Sequence, residues 1–315
     1  MNYVVFDLEW NQCPDGKDYE VEGMPFEIIE IGAIKINENK VIVDSFHELI
    51  RPTVYKWIHA RTREVIHLDY QNLLEGDEFP ETVTKFLDWC GEDFIFCTWG
   101  SMDLWELQRN LDFFDMLEYL RGPIQYYDVQ KLFSLCFEDG KVRRSLEDAI
   151  DMLRISKDLS FHRALTDAYY TGVIFQKIRR EEVFAYTSID VYQNPKKRRE
   201  ECHLSYPTYD KYISKEFPSK EKAMKDREVV STRCPVCQGT ARKKIRWFSV
   251  NARQYYSVSS CPEHGLVKGK IRMKKTDDEQ YFVIKTIKLI NEEDAKAIRE
   301  KQENLRIRRS LRRNR

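Results

Sequence analysis

The chain has 315 residues, and its 52 Lys and Arg balance its 52 Asp and Glu, so the net charge is zero. This length suits one large domain or two smaller ones. The sequence has neither the charged leader and apolar run of a signal peptide nor the roughly 18 consecutive apolar residues of a membrane span. We therefore expect a soluble, cytoplasmic protein that binds no membrane.

The charge is divided unequally between the two halves. Residues 1–180 hold 20 Lys and Arg against 33 Asp and Glu, and residues 181–315 hold 32 against 19. A basic half is where a polyanion would bind. An ordinary solvated basic surface is the alternative.

The first half alternates strand-like and helix-like segments. Three strands are predicted from NYVVFDLEW, FEIIEIGAIKIN and VIVDSFHELIRP, with NENK as the hairpin between the last two. Helices are predicted over residues 62–74 and in TVTKFLDWCG, DLWELQRNLDFF, SLEDAIDMLRI and HRALTDAYYTGVIFQKI. Two further strands are predicted in FIFCTWG and at the start of IQYYDVQKLFSLCF, which turns into a helix. This order predicts an α/β fold, a mixed β-sheet flanked by helices.

The pattern changes after residue 183. Residues 184–232 are polar and contain several prolines and the run KKRRE, which predicts a basic linker. Residues 233–290 are rich in strand-like segments, and residues 291–315 predict a basic C-terminal helix or tail that ends RIRRSLRRNR. We therefore expect a catalytic domain over residues 1–183, followed by these three segments.

Two carboxylates lie two residues apart in the first strand, FDLEW. Because side chains of a strand alternate between faces, Asp7 and Glu9 project to the same side. Two ionised carboxylates repel each other and resist burial unless a cation lies between them. A hard divalent ion such as Mg²⁺ takes ligands of this kind. A solvated edge with two acids is the alternative for Asp-x-Glu alone.

Three more residues that could bind a metal ion or transfer a proton follow in chain order. Asp103 comes after the predicted strand FIFCTWG, at the start of a helix, where an acid also interacts favourably with the helix dipole. His162 and Asp167 lie five residues apart in HRALTDA. The alternatives are a solvated helix residue for Asp167 and a structural histidine or a helix-start residue for His162. Asp128 precedes a helix and is predicted to be an N-cap rather than a metal ligand.

Taken together, these motifs resemble those of the DEDDh exonucleases, a branch of the RNase H-like fold. The matching segments are FDLEW, TWGSMDLWEL and HRALTDAYYTG, over about residues 1–183. A sister branch has a tyrosine where this chain has Arg163, so the histidine branch fits. EIIEIGAIKIN, the LIRP ending and YYDVQKLF are most similar to the Eri/KapD-like branch, which is associated with RNA 3′ ends. The family's Thr-Gly-Ile-like turn is replaced by TREVIHL.

The resemblance implies a site and a reaction. Asp7, Glu9, Asp103 and Asp167 would bind two Mg²⁺ or Mn²⁺ ions, and His162 would be the general base. The reaction would be hydrolysis of terminal phosphodiesters from a 3′ end, with release of 5′-mononucleotides. Trp10 follows the first motif and would stack on the terminal base. A core aromatic on the opposite face is the alternative for Trp10.

The second half contains four further metal-ligand residues. CPVCQG and CPEHG place Cys234, Cys237, Cys261 and His264 in a Cys-x₂-Cys…Cys-x₂-His pattern, which is typical of one structural Zn²⁺ in a zinc-ribbon-like module. Two unrelated turns with free thiols are the alternative. The segments between the two turns interleave cations with aromatic rings, as nucleic-acid surfaces do, although some of these rings would form the core.

The sequence thus predicts a metal-dependent 3′→5′ exonuclease, with RNA favoured as substrate. Its second half would hold the nucleic acid or dock onto a ribonucleoprotein. A DNA exonuclease in repair is one alternative. A nucleic-acid-binding protein that keeps the exonuclease fold is another.

Overall fold

The computed structural model describes residues 1–66, 70–159 and 161–313. The chain forms two compact units, Met1–Gln193 and Asn194–Arg315. Within the described residues no helix is both long enough and apolar enough to cross a bilayer.

The first unit is built on a six-stranded mixed sheet with the order β3-β2-β1-β4-β5-β6. The central strands β1, β4 and β5 are parallel, and the pairs β1–β2, β2–β3 and β5–β6 are antiparallel. The strands span Asn2–Gln12 (β1), Phe26–Ile36 (β2), Ile42–Leu49 (β3), Phe94–Thr98 (β4), Ile124–Asp128 (β5) and Ser188–Asp190 (β6). The hairpin predicted at NENK is confirmed between β2 and β3.

Seven α-helices are described in this unit. They span Ala60–Ile66 (α1), Tyr70–Leu74 (α2), Phe79–Cys90 (α3), Met102–Phe113 (α4), Val129–Phe137 (α5), Leu146–Met152 (α6) and Ala164–Lys177 (α7). The helix predicted over residues 62–74 therefore corresponds to α1 and α2, and its middle, residues 67–69, lies outside the described residues, as does part of TREVIHL. Asp128 caps α5 as predicted, since its carboxylate accepts a hydrogen bond from the backbone N–H of Lys131 at 2.9 Å.

Helices cover both faces of this sheet. The even-numbered residues of β1, Val4, Phe6 and Leu8, pack in one core with α3 and α4. Val5 packs on the other face, in a second core with α5, α6 and α7. This arrangement of helices on both faces of a mixed sheet confirms the predicted RNase H-like α/β fold. Because side chains alternate along a strand, the odd-numbered acids of β1 project to the same face as Val5.

The second unit is a six-stranded antiparallel sheet with the order β7-β8-β12-β11-β10-β9. Its strands span Cys202–Tyr206 (β7), Tyr209–Ile213 (β8), Arg242–Asn251 (β9), Gln254–Cys261 (β10), Gly265–Lys275 (β11) and Tyr281–Ile290 (β12). Its helices are Lys220–Ala223 (α8), Arg227–Val230 (α9) and Glu292–Arg313 (α10). The helix predicted at the C-terminal end corresponds to α10.

The structure differs from the predicted linker over residues 184–232. Residues 188–190 complete the first sheet as β6, and residues 202–213 form two strands of the second sheet. Tyr206, Ile213 and Val229 are buried there. These apolar residues are few and separated by charged ones, so the composition of the segment concealed its short strands. Strand β6 pairs with β5, β8 pairs with β12, and β7 pairs with β8. The zinc-ribbon-like pattern at 233–290 is accordingly part of a larger sheet.

Candidate active site and cysteine-histidine cluster

The first pair of predicted site residues lies on the central strand of the first sheet. Asp7 and Glu9 continue the odd-numbered row of β1 that Val5 begins, so both project toward the face covered by α7. Strand β1 pairs with β4 only over Asn2–Val5. Within the described part of the chain, no strand pairs with that edge of β1 beyond Val5.

Asp103 reaches this open edge from the first turn of α4. The turn is set up by the end of β4 and by Gly100, whose φ of 101° is one that L-residues rarely adopt. Asp103 is only 6 % exposed. Burial raises the pKa of its carboxyl group to about 7, while the backbone N–H of Leu8 on β1 lowers it. The second motif is thus joined to the first through the backbone of β1.

The third motif approaches through a close contact between α7 and β2. Gly32 on β2 lies opposite Asp7. A Cβ atom added at Gly32 would lie 1.9 Å from the backbone nitrogen of Leu165, so only glycine allows the start of α7 to rest on the sheet at this point. Asp167, in the first turns of α7, is thereby brought beside Asp7.

His162 lies just before α7 rather than within it, because the helix begins at Ala164. Its backbone has a φ of 62°, in the left-handed region that non-glycine residues seldom occupy. The side chain is exposed. His162 is also near Asp167, whose pKa it lowers, although burial has the larger effect and raises that pKa to about 6.

The acids from these separate segments converge. One carboxylate oxygen from each of Asp7, Glu9 and Asp167 can be chosen so that all lie within 4.8 Å of one another. Asp103 is outside this group of three but is close enough to raise the pKa of Asp7. Oδ1 of Asp167 is buried without a hydrogen-bond partner among the described residues. A hard divalent cation fits this oxygen-only set, since it would satisfy the unpartnered oxygen and offset the repulsion.

Burial and mutual repulsion raise the pKa values of these carboxyl groups. For Asp7 burial is the largest cause, followed by the charge of Asp103 and then of Glu9, and the pKa lies well above its usual range. Burial, with Asp167 next, raises the pKa of Glu9 to about 8. In the absence of a cation the cluster therefore holds protons at neutral pH.

We expect the stability of the divalent-free protein to fall as pH rises from about 5 to about 8. The folded state binds more protons than the unfolded chain in this window, because its carboxyl pKa values are raised. The expected loss is about 5 °C in the melting temperature of the first unit, at roughly 2–4 °C for each kcal/mol. Thermal unfolding in a buffer without added divalent ions measures this loss. No chelator is added, because it would remove any metal ion from the cysteine cluster of the second unit. A melting temperature that rises over this range would contradict the electrostatic account.

One buried acid beside the site is absent from the sequence-based prediction. Glu30 on β2 pairs across the sheet with Glu9, and its side chain has no exposed surface. Its carboxylate accepts hydrogen bonds from Nε of Arg163 at 3.2 Å and contacts Nε2 of His47 at 2.8 Å. The charge of Arg163 in turn lowers the pKa of Glu9, which burial raises. The sequence did contain a signal for Glu30, because a carboxylate inside the apolar run EIIEIG is expected to be buried and a buried acid requires a partner.

Trp10 belongs to the even-numbered row of β1. Its partly buried ring packs against the core formed with α3 and α4, and its centroid lies 5.7 Å from that of Phe26. It thus lies with Leu8 on the face opposite Asp7, where the core alternative placed it. Contact of its exposed part with a terminal base stays a prediction.

The four predicted zinc ligands of the second unit are also brought together. Cys234, Cys237, Cys261 and His264 can each offer one atom within 4.8 Å of the others. Sγ of Cys237 lies 3.7 Å from Sγ of Cys261, which in turn lies 3.6 Å from Nδ1 of His264. Four ligands arranged tetrahedrally about 2.3 Å from a zinc ion stand roughly 3.8 Å apart, and a disulfide would require about 2 Å. The donor set therefore fits zinc.

Two turns present these ligands. Cys234 precedes a turn in which the N–H of Gln238 donates to the carbonyl of Cys234 at 2.9 Å. Cys261 ends β10 and His264 precedes β11, so a tight hairpin brings both toward the first turn. The side chain of His264 lowers the pKa of Cys261 to about 6, which favours the thiolate that a metal requires.

The rings between the two turns are largely core residues. Trp247 donates from Nε1 to the carbonyl of Val230 at 2.9 Å and packs with Tyr255 in the core beneath α8 and α9. Phe248 and Tyr256 pack partly against α10. Arg242, Lys243, Lys244 and Arg246 on β9 are exposed.

A mixed sheet with carboxylates on its central strand, joined by acids from two flanking helices, defines an RNase H-like nuclease domain. The chain belongs to the exonuclease family, whose model matches residues 4–175. This family and the domain's fold make the first unit a hydrolytic nuclease.

Curated relatives are DNA polymerases III of the PolC type. The protein from Thermotoga petrophila is 30% identical over 174 residues, which cover 55% of this chain and 11% of the relative. The Staphylococcus aureus protein is 24% identical over 180 residues, which cover 56% of this chain and 11% of the relative. The chain thus matches about a tenth of these relatives' length.

Among solved structures, the nuclease domain of 3′hExo, described as a DEDDh family member bound to rAMP, is similar to this chain. The TM-score is 0.50 at 17% sequence identity, and the match covers 60% of this chain and 96% of that domain. At this level of identity the similarity supports the fold alone.

Proposed function

We propose that the first unit is a divalent-metal-dependent 3′→5′ exonuclease that removes 5′-mononucleotides from single-stranded RNA. The observation that carries this proposal is the convergence of Asp7, Glu9 and Asp167 from two separate segments, with the buried Asp103 adjoining them. Four acids assembled in this way resist burial without cations, and they are the acids that the DEDDh pattern places in the site.

The acids would bind the metal ions, and His162 would move the proton. When bound, Mg²⁺ or Mn²⁺ would neutralise charge at the scissile phosphate and lower the pKa of an attacking water. His162 is exposed beside Asp167, so its imidazole can take the proton of that water and pass it to solvent. Glu30 holds Arg163 next to the acids, where the guanidinium partly offsets their charge.

The proposal is tested with a 5′-labelled single-stranded RNA whose shortening is followed on a sequencing gel. The reaction is run with Mg²⁺, with Mn²⁺ and without divalent ions. We expect a ladder that shortens from the 3′ end only when a divalent ion is present. His162→Ala should slow it by about 10²–10⁴-fold, the usual contribution of a general base. His203→Ala, an exposed histidine of the second unit, is the matched control and should leave the rate unchanged. Cleavage at internal positions, or no effect of His162→Ala, would refute the assignment.

DNA is the second candidate substrate, and a specific observation favours it. The PolC-type relatives, at up to 30% identity over this domain, are DNA polymerases. RNA is favoured by the similarity to the Eri/KapD-like branch. The same sequence as RNA and as DNA, assayed side by side, separates the two candidates. Faster shortening of the DNA strand would assign the protein to DNA and contradict the RNA preference.

We further propose that the second unit holds one structural zinc ion through Cys234, Cys237, Cys261 and His264. Four protein ligands would close the coordination shell, so the ion would stabilise the fold and take no part in hydrolysis. Because this unit also has an apolar core around Ile271 and Val283, away from the cluster, zinc supplies only part of its stability.

Elemental analysis of purified protein should find one zinc per chain. Cys234→Ser should lose the metal and lower the melting temperature of the second unit, because a ligand is removed and the other thiolates repel. Cys202→Ser, at a half-buried cysteine of β7 outside the cluster, should keep the zinc. Full zinc occupancy in Cys234→Ser would exclude this ligand set.

A further inference from the structure

The antiparallel sheet of the second unit has two unlike faces. Ile271 and Met273 on β11 point to the face where α8 and α9 pack. Lys268, Lys270 and Arg272 alternate with them and therefore lie on the opposite face. Helix α10 covers one end of that opposite face through Ala295 and Ile298, which pack with Ile245 and Val258. Lys268 lies directly opposite Val258, so the cations of this face adjoin the apolar contact.

Five cations gather there around one tyrosine. Lys288 on β12 lies directly opposite Lys268 on β11. Nζ of Lys268 and Nζ of Lys301 on α10 lie 4.9 Å and 5.4 Å from the ring centroid of Tyr256. We call this set the basic sheet face; its members are Lys268, Lys270, Arg272, Lys288, Lys301 and Tyr256.

The positive charge of this face is poorly neutralised. Across the described parts of the chain, none of its five cations forms an ion pair within 4.0 Å. Burial lowers the pKa of Lys268, and the charges of Lys288 and Lys301 lower it further, while Asp294 on α10 raises it. Like charges at directly paired positions destabilise a sheet. Such a cluster is expected where a polyanion binds.

We propose that the basic sheet face binds single-stranded RNA, with phosphates on its cations and a base on Tyr256. Successive same-face residues of β11 repeat every ~6.7 Å, a spacing comparable to that of phosphates along an extended strand. Tyr256 is half-buried, and cations beside its ring suit a nucleic-acid backbone that passes next to a stacked base. The choice of RNA rests on the proposed function; the binding itself does not require the exonuclease reaction.

The test uses the full chain carrying Asp7→Asn, so that the strand is not degraded. Fluorescence anisotropy with a labelled 20-nucleotide RNA measures affinity as a function of salt. The variant Lys268→Glu/Lys270→Glu/Lys288→Glu should bind at least about tenfold more weakly, and its log–log salt slope should fall by about 2, at roughly 0.7 for each lost phosphate contact. Lys222→Glu/Lys225→Glu/Arg227→Glu makes the same charge change at exposed residues of the α8–α9 segment and should alter neither value.

The outcomes separate this inference from the proposed reaction. Weaker binding by the first variant supports the basic sheet face even if the wild-type chain hydrolyses no RNA. Equal affinity and slope in the two triple variants would overturn it. So would duplex RNA bound as tightly as the single strand, because a base in a duplex cannot stack on Tyr256. Circular dichroism of each variant, matched to the wild type, shows that the sheet remains folded.

Discussion

Asp7→Asn is expected to lower the rate of nucleotide release about a thousandfold, which corresponds to roughly 4 kcal/mol of transition-state stabilisation. Asp7 projects from the central strand into the group of acids, where burial and the charges of Asp103 and Glu9 raise the pKa of its carboxyl group well above its usual range. The amide has the same shape but cannot carry the charge that a divalent ion requires. Steady-state rates with saturating Mg²⁺ measure the loss.

The same substitution should stabilise the divalent-free protein at pH 8. Burial and the charges of Asp103 and Glu9 disfavour the ionised Asp7, and asparagine removes this repulsion. The melting temperature should rise by a few degrees, and its fall between pH 5 and pH 8 should become smaller. Asp44→Asn, at an exposed acid of β3, is the matched control. A less stable Asp7→Asn protein would mean that Asp7 serves the fold rather than the reaction.

Gly32→Ala is expected to have the largest effect among residues that bear no chemistry. The new Cβ would lie 1.9 Å from the nitrogen of Leu165 and 2.2 Å from the carbonyl carbon of Ala164, and both neighbours are backbone atoms. Helix α7 must therefore move away from β2. We expect a loss of about 3 kcal/mol or more in the free energy of unfolding, together with at least about a hundredfold loss of activity, since Asp167 would be displaced by an ångström or so.

A second glycine provides the comparison. Gly91 follows α3 with a φ of 80°, and a Cβ there would meet nothing within 4 Å. Gly91→Ala should cost about 1–3 kcal/mol of stability, because φ 80° with ψ −162° is a backbone conformation that glycine alone adopts readily, and it should leave the activity of the folded protein unchanged. Denaturant unfolding and the rate at 20 °C, measured for both variants, make the test. A similar loss of activity in the two folded variants would contradict the role given to Gly32.

The sequence predicts best what depends on periodicity. Strand β1, with Asp7 and Glu9 on one face, followed from alternation alone, and the cap at Asp128 followed from a single polar residue before an apolar helix. The close contact of Gly32 with α7 was not predicted, because the sequence around a glycine in a strand does not show which helix packs on it. Glu30 was overlooked for a similar reason, since its partner Arg163 is 133 residues away. The short strands β6 and β8 are stabilised by pairing with the distant strands β5 and β12, so local composition predicted a linker there.

The most direct test of the central claim is a calorimetric titration of Mn²⁺ into the zinc-loaded protein at pH 8, comparing the wild type with Asp103→Asn. Asp103 comes from a helix rather than from β1, and it is the acid that lies outside the tight group of three. If the acids form one metal site, the wild type binds Mn²⁺ with release of protons, and Asp103→Asn loses this binding as fully as Asp7→Asn. Unchanged Mn²⁺ binding by Asp103→Asn would contradict a single site assembled from all three motifs.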